Sequence, residues 1–247
     1  NYWNSLHQSK AIADYIDKVA GISTDEYDSI LSSAQNYNQS ISRLTVSELT
    51  DAQRKDYMTQ LNLNKNGMMG YIEIPKISVS LIIYHSIDEN VLQKGIGHVP
   101  QTHLPVGGKN THCVLAGHTG LPSAKLLTNI DHLKVGDRFY IHVLNEVLEY
   151  KIDNVSVVEP SEASYLNVIS GKDCVTLVTC TPYGVNSHRL LVRGVRVEAG
   201  DLTAKEDGVT NELLKIDMKY LITFSLIGLC IVFFAVKKLR DIRKRKL

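Results

Sequence analysis

From Gly70 to Val197 the chain is dominated by short runs of β-branched and aromatic residues separated by turn-forming residues. The runs are GYIEI, VSLIIY, CVLA, RFYIHVL, VLEYKIDNVSVV, CVTLVT and RLLVRGVRV, and Gly, Pro, Asn and Asp lie between them. Short strands separated in this way are typical of all-β sandwiches and barrels. The pattern therefore predicts a mainly β domain, which we place at residues 67–199.

The first 66 residues follow a different pattern, in which apolar residues recur at helical spacing and Pro is absent. Residues 23–26 (STDE) and 50–53 (TDAQ) both fit a capping box, so a helix is expected to begin at each. A further helix is predicted over residues 5–20. We therefore predict a helical region over residues 1–66, ending in the polar stretch NLNKNG.

The C-terminal part of the sequence predicts a membrane anchor. Residues 220–236 (YLITFSLIGLCIVFFAV) contain no charge, and as a helix they would span about 25 Å. The last eleven residues, 237–247, hold seven of the 27 Lys and Arg but only one of the 26 Asp and Glu. We expect a stalk over residues 200–219, a transmembrane helix over 220–236 and a basic cytoplasmic tail over 237–247, which places the body outside the cytoplasm.

Two further features bear on location and partners. Residue 1 is Asn, and no basic and apolar leader follows it, so a signal or anchor is expected to have been removed or to lie outside this sequence. The net charge is only +1, which argues against a protein that binds nucleic acid by neutralising phosphates.

Three segments carry the residues of a candidate active site: LAGHTG (115–120), TLVTCTPYG (176–184) and NSHRLLVRG (186–194). Cys180 ends a predicted strand just before a turn, where a side chain is held rigidly yet reaches the rim. A thiolate is the nucleophilic form and needs a cationic neighbour or a base, which His118 could supply. The guanidinium of Arg189 could donate two hydrogen bonds to an oxyanion or to a substrate carbonyl. Cys180 cannot form a disulfide with Cys174, because six residues of one strand keep them about 20 Å apart.

These segments closely resemble the sortase family, and within it the pilus-assembling class C enzymes. The resemblance runs from GYIEIP at 70–75, through GHVPQTHLPVGG at 97–108, to about Val197, and its most specific motif is TLxTC followed by a downstream Arg. It implies a closed β-barrel of about eight strands. Carried over by position, it implies Cys180 as nucleophile, His118 as acid/base partner and Arg189 as oxyanion stabiliser. A C-terminal membrane span also agrees with this class.

The resemblance further implies the reaction. Cys180 would attack the Thr–Gly bond of an LPxTG-like sorting signal near the C-terminus of a pilin, and a Lys amine of the next pilin subunit would resolve the thioacyl enzyme. No metal or organic cofactor is needed. Thr179 and Tyr183 are candidates for lining the substrate groove.

One departure concerns the lid that commonly plugs the active site of class C enzymes. Its Asp-Pro-aromatic motif is absent, because no Pro occurs before Pro75. The segment between residues 38 and 54 offers no obvious substitute, so no lid residue is assigned.

Alternatives from other classes remain open at this point. The residues His98, His103, His112, His118 and Cys113 could be read as a zinc site, although their spacing fits neither HExxH nor paired CxxC knuckles. A non-enzymatic, membrane-tethered pilus component would have no need for a Cys–His–Arg set. A housekeeping sortase would join proteins to the cell-wall peptide, and its acceptor cannot be read from the enzyme.

Overall fold

A computed structural model of the chain describes residues 2–41, 49–120 and 126–197. The helices are α1 (Tyr2–Ala20), α2 (Thr24–Ile41), α3 (Asp51–Tyr57) and α4 (Glu89–Leu92). The strands are β1 (Met68–Ile74), β2 (Val79–His85), β3 (Ile96–His98), β4 (Thr111–Ala116), β5 (Arg138–Val143), β6 (Glu146–Val158), β7 (Asp173–Thr181) and β8 (His188–Arg196). Short 3₁₀ turns lie at Pro75–Ile77, Ile130–His132 and Ser164–Leu166.

The eight described strands close into a barrel in the order β1-β2-β3-β4-β7-β8-β6-β5, and β5 pairs back onto β1. Two of the pairs are parallel, β2 with β3 and β4 with β7, and the rest are antiparallel. The predicted eight-stranded barrel with N-terminal helices is therefore confirmed.

Strand composition follows from which faces are covered. In β5 buried and partly exposed residues alternate along RFYIHV, because only one face of this strand meets the core. In β7 the residues from Cys174 to Thr179 are all buried, because the barrel interior covers one face and the β6–β7 connection covers the other. The run CVTLVT thus belongs to a strand that is covered on both faces.

Both predicted capping boxes lie at helix starts. The Oγ of Ser23 accepts a hydrogen bond from the backbone N–H of Glu26 at the start of α2 (3.2 Å). At α3, Thr50 is the N-cap: its Oγ1 accepts from the backbone N–H of Gln53 (3.3 Å), and its own backbone N–H donates to Oε1 of Gln53 (2.9 Å). These bonds satisfy backbone groups that a helix start would otherwise leave without a partner.

The N-terminal helices share the core of the barrel. Ala34, Tyr37 and Ile41 of α2 belong to the same buried cluster as the inward-facing strand residues. Helix α1 packs Ile12, Tyr15 and Val19 against β1 and β2. Burial of these apolar side chains ties residues 2–41 to the barrel rather than leaving them as a separate unit.

Asn38 connects α2 to the connection between β3 and β4. Its side-chain amide donates to the carbonyl of Leu104 (3.2 Å) and accepts from the N–H of Leu104 (2.7 Å), and the residue is buried.

We expect Asn38→Ala to lower the free energy of unfolding by about 2 kcal/mol, because two buried backbone groups lose their partner. Asn36→Ala, at an exposed position of the same helix, should change it by less than about 0.5 kcal/mol. Urea denaturation measures both, and equal effects would contradict this role.

Within residues 2–41, 49–120 and 126–197, no helix is both long and apolar enough to cross a bilayer. The predicted stalk, transmembrane helix and basic tail over residues 200–247 lie outside the described residues, and these assignments stay predictions. Residues 42–48, part of the segment in which a lid motif was sought, also lie outside.

Candidate active site

Cys180 is the accessible thiol of the three described cysteines. It is half-buried near the end of β7, whereas Cys113 and Cys174 are buried, and all three are free. Burial raises the pKa of Cys113 well above its usual range, and burial raises the pKa of Cys174 to about 11. Both buried thiols therefore stay protonated at neutral pH, and a protonated thiol is a poor nucleophile. Of these three thiols, only that of Cys180 combines rigid placement with access to solvent.

Arg189 lies directly opposite Cys180 in the antiparallel ladder between β7 and β8. Residues opposite each other in such a ladder point to the same face, so the guanidinium and the thiol share a face. An Nη1 of Arg189 donates to the carbonyl of His188 (3.1 Å). The hairpin of β7 and β8, which the sequence predicted, therefore brings Arg189 beside Cys180.

His118 reaches the same rim through parallel pairing of β4 with β7. Ala116 pairs with Val178, and the N–H of Gly117 donates to the carbonyl of Val178 (3.0 Å). His118 follows β4 by two residues, and Cys180 follows Val178 by two residues, so both lie near the same end of this strand pair. The strand order β4-β7-β8 thus collects all three residues at one end of three adjacent strands.

Glu89, at the start of α4, is an additional charged residue of this rim. Its Oε2 lies 3.3 Å from Nε2 of His118, and its other oxygen accepts from the Gln93 side chain (3.1 Å). The hydrogen bond from Gln93, and then the proximity of His118, lower the pKa of Glu89, so it is a carboxylate at neutral pH. This residue could not be found from the sequence, because Glu89 lies 29 residues before His118 and no local motif links the two.

The β7–β8 turn brings Tyr183 over the segment that follows β4. Tyr183 is 67% exposed, and a Cβ placed on Gly120 would come within 2.6 Å of its ring. Gly120 also has a φ of +79°, which glycine adopts without strain. Tyr183 is therefore an exposed aromatic surface next to the candidate site.

Thr179 differs from its neighbour Cys180. It points to the opposite face of β7, it is only 3% exposed, and its Oγ1 has no hydrogen-bond partner among the described residues. A groove that contains Cys180 does not reach this side chain in the structure. The assignment of Thr179 to the substrate groove therefore has no structural support and stays a prediction.

An apolar cluster lies on the Cys180 face of the same strands. Val114, Val178 and Leu191 form it, and side chains of the β6–β7 connection, Tyr165 and Leu166, pack over them. Burial raises the pKa of Tyr165, and the positive charge of Arg189 opposes that shift, so Arg189 is near this connection. Apolar and cationic surfaces thus adjoin beside the thiol.

The alternative zinc site is not assembled. Nε2 of His98 contacts the carbonyl of His103 (2.8 Å), while the ring of His112 contacts the carbonyl of Asn167 (2.7 Å) and Oγ1 of Thr176 (2.7 Å). Cys113 is in the barrel core. Over residues 2–41, 49–120 and 126–197, no group of three or more His, Cys, Asp or Glu is arranged to hold a metal ion.

A thiol, an imidazole and a guanidinium at one rim have the chemistry of acyl transfer. The thiolate can attack a carbonyl carbon, the guanidinium can stabilise the oxyanion that forms, and a protonated imidazole can donate a proton to the leaving group. In the structure His118 is paired with Glu89 and Arg189 with backbone carbonyls. A substrate that enters the site would have to compete with these partners.

Comparisons with known proteins agree with this geometry. A family model described as a sortase domain matches residues 72–197. Sortase A of Bacillus anthracis is 32% identical over 152 residues, which cover 60% of this chain and 70% of that protein. The crystal structure of sortase C1 from Streptococcus agalactiae matches with a TM-score of 0.74 and 46% identity, over 76% of this chain and 98% of that one. A structure of Streptococcus pneumoniae sortase C matches with a TM-score of 0.67 and 39% identity, over 76% of this chain and 97% of that one. That structure is described as informing catalysis and pilin substrate specificity.

Proposed function

Because the chain belongs to class C of the sortase family and is a sortase-type cysteine transpeptidase, we propose that it polymerises pilin subunits. The substrate is an LPxTG-like sorting signal, which is cleaved between Thr and Gly. The acceptor is a Lys amine of another pilin, so that the product contains an isopeptide bond. The observation that carries the proposal is the convergence of Cys180, His118 and Arg189 at the ends of β7, β4 and β8.

In the first half-reaction the thiolate of Cys180 attacks the carbonyl carbon of the Thr–Gly bond. The carbonyl oxygen becomes an oxyanion, to which the guanidinium of Arg189 donates hydrogen bonds. When the C–N bond breaks, the imidazolium of His118 gives its proton to the leaving Gly amine. A thioester between Cys180 and the Thr carbonyl remains.

In the second half-reaction a neutral Lys amine attacks the thioester carbon. Collapse of the second tetrahedral intermediate breaks the C–S bond and returns Cys180 to its thiolate. The nitrogen loses one proton, which the neutral imidazole of His118 accepts. The enzyme is then back in its starting protonation state, and no redox partner, metal or organic cofactor takes part.

Two surfaces near the thiol support recognition of a peptide. The exposed ring of Tyr183 and the segment containing Gly120 border the site on one side. The apolar cluster under Tyr165 and Leu166 lies on the other, and apolar residues of a sorting signal would be accommodated there if the β6–β7 connection moves outward. We propose Tyr183 as a substrate-contacting residue.

We further propose that the enzyme acts outside the cytoplasm while anchored in the membrane. The support comes from the sequence, in which an uncharged stretch at 220–236 is followed by the basic residues of 237–247. Pilins are secreted proteins, and a catalytic domain held close to the membrane would meet them as they emerge.

The acceptor distinguishes pilus assembly from cell-wall anchoring. The enzyme is incubated with an LPxTG-type peptide and equal concentrations of two acceptors, an Nα-blocked Lys peptide and a cell-wall stem peptide with its free amine. We expect tandem mass spectrometry to identify a product joined through the Lys ε-amine, and Cys180→Ala to give none. A product formed only with the stem peptide would instead establish a housekeeping sortase.

A further inference from the structure

Glu89 is set beside His118 by the close packing of its segment on β3. A Cβ placed on Gly97 of β3 would clash with the carbonyl oxygen of Ser86 and would lie 3.1 Å from Cδ2 of Leu92. Because Gly97 has no side chain, α4 lies directly on β3, which pairs with β4. His118 follows β4 by two residues, so the carboxylate at the start of α4 comes within reach of its ring.

The carboxylate of Glu89 presents an exposed negative charge at the rim. Its Oε1 accepts a hydrogen bond from the side chain of Gln93 (3.1 Å), and its Oε2 lies 3.3 Å from Nε2 of His118. Its lowered pKa keeps the group ionised at neutral pH. The side chain is 63% exposed, so a cationic group that arrives from solution can contact it.

The partner of Glu89 changes its charge during the proposed reaction. In the first half-reaction the imidazolium of His118 gives its proton to the leaving Gly amine, so the ring is neutral in the thioacyl enzyme. The negative charge of Glu89 is then no longer balanced by this ring. A cation binds beside Glu89 more strongly in the thioacyl enzyme than in the free enzyme, because it no longer competes with a charged imidazolium. The thioacyl enzyme is the state that the acceptor meets.

The nitrogen of the acceptor has to come close to Glu89. Nε2 is the ring nitrogen of His118 that lies farther from the backbone, and an amine that gives a proton to it must approach it to about 3 Å. The amine is then at most about 6 Å from Oε2 of Glu89, a distance at which opposite charges still attract. A Lys amine has a pKa of about 10.4 in solution and therefore arrives as an ammonium.

We propose that Glu89 selects the acceptor by binding the ammonium of the incoming Lys in the thioacyl enzyme. This role rests on the proposed function, because it concerns the second half-reaction of the same site. The bound ammonium first releases one proton to water. The neutral amine keeps one N–H directed at Oε2 of Glu89 while its lone pair attacks the thioester carbon, and the proton that the nitrogen then loses goes to Nε2 of His118. Glu89 stays a carboxylate throughout.

Two acceptors that differ in charge test this role. Cys180 is acylated with an LPxTG-type peptide, and the KM is measured for an Nα-blocked Lys peptide and for hydroxylamine, which is largely uncharged at neutral pH. Glu89→Gln keeps the shape and an acceptor oxygen but removes the charge. It should raise the KM for the Lys peptide about three- to fivefold more than the KM for hydroxylamine. Equal changes for both acceptors would mean that Glu89 acts only by placing His118, and would overturn the proposal.

Glu159→Gln is the matched control, because it removes the same charge from another exposed carboxylate that pairs with a histidine. Oε1 of Glu159 lies 3.1 Å from Nε2 of His188, and the Glu159 side chain is 68% exposed. We expect the KM for the Lys peptide to change by less than about 1.5-fold. A change as large as in Glu89→Gln would assign the effect to overall charge and overturn the local contact. If wild type gave no Lys product but released the peptide to hydroxylamine, the proposed function would fail as well, whereas Lys product with an unaltered KM in Glu89→Gln would overturn the role of Glu89 alone.

Discussion

Replacing Cys180 by alanine is expected to lower turnover of an LPxTG-type peptide by at least about 10³-fold and to abolish the covalent adduct. The thiolate is the nucleophile, and no other described thiol can replace it, since Cys113 and Cys174 are buried and their pKa values are raised by burial. Intact-protein mass spectrometry of the enzyme mixed with peptide measures the adduct directly. In the wild type its mass equals that of the enzyme plus the peptide up to Thr, less one water.

Cys174→Ala is the matched control, because this residue lies on the same strand and the same face as Cys180. Removal of its buried thiol leaves a small cavity and is expected to lower the thermal midpoint slightly, while turnover stays within about twofold of wild type. An adduct that persists in Cys180→Ala, or disappears in Cys174→Ala, would show that the nucleophile has been wrongly assigned.

Helix starts and the pairing of neighbouring strands were predicted correctly, because both depend on residues that are close together in the sequence. The capping boxes at Ser23 and Thr50 located helix starts, because the bonds of a cap join residues three apart. Arg189 is expected beside Cys180 because the two belong to strands joined by a short connection, residues 182–187, and the structure pairs them directly. A short hairpin leaves few possible registers.

Contacts between distant segments could not be derived in this way. His118 lies 62 residues before Cys180, and it reaches the same rim because β4 pairs in parallel with β7 after the chain has passed through β5 and β6. Local periodicity contains no information on that pairing, so the expectation for His118 depended on the family resemblance. Glu89 has no counterpart among the motifs quoted for that resemblance, and only the structure brings it to His118.

The TLxTC motif also did not predict the face of the strand to which each side chain points. Thr179 and Cys180 are neighbours in TLVTC, yet strand alternation sends Thr179 to a fully enclosed face. In α1 the apolar face includes Ile12, Tyr15 and Val19, but Leu6 and Ile16 of the same helix remain 50% and 47% exposed. Helix α1 packs against β1 and β2, and apolar side chains of α1 that do not reach these strands stay exposed.

His118→Ala is expected to reduce kcat by about 10²- to 10⁴-fold, because the Gly amine would leave without a proton donor. The dependence of rate on pH gives a second readout. The wild-type enzyme needs a thiolate and an imidazolium at once, so its rate should pass through a maximum with pH. Without the imidazole only the thiolate is required, and the residual rate should rise with pH to a plateau.

Glu89→Gln tests whether His118 needs the Glu89 carboxylate to hold its ring in place for catalysis. The substitution keeps the shape of the side chain but removes the charge that lies 3.3 Å from Nε2, and Glu89 is 63% exposed at its side chain. Exposed ion pairs contribute little, so kcat should change by less than about fivefold, and the maximum in the pH profile should persist. If Glu89→Gln matched the loss in His118→Ala, the carboxylate would be an essential partner of the imidazole. If His118→Ala instead kept both wild-type turnover and a rate maximum, the proton would come from another group, and the convergence of β4 with β7 would serve the fold rather than the reaction.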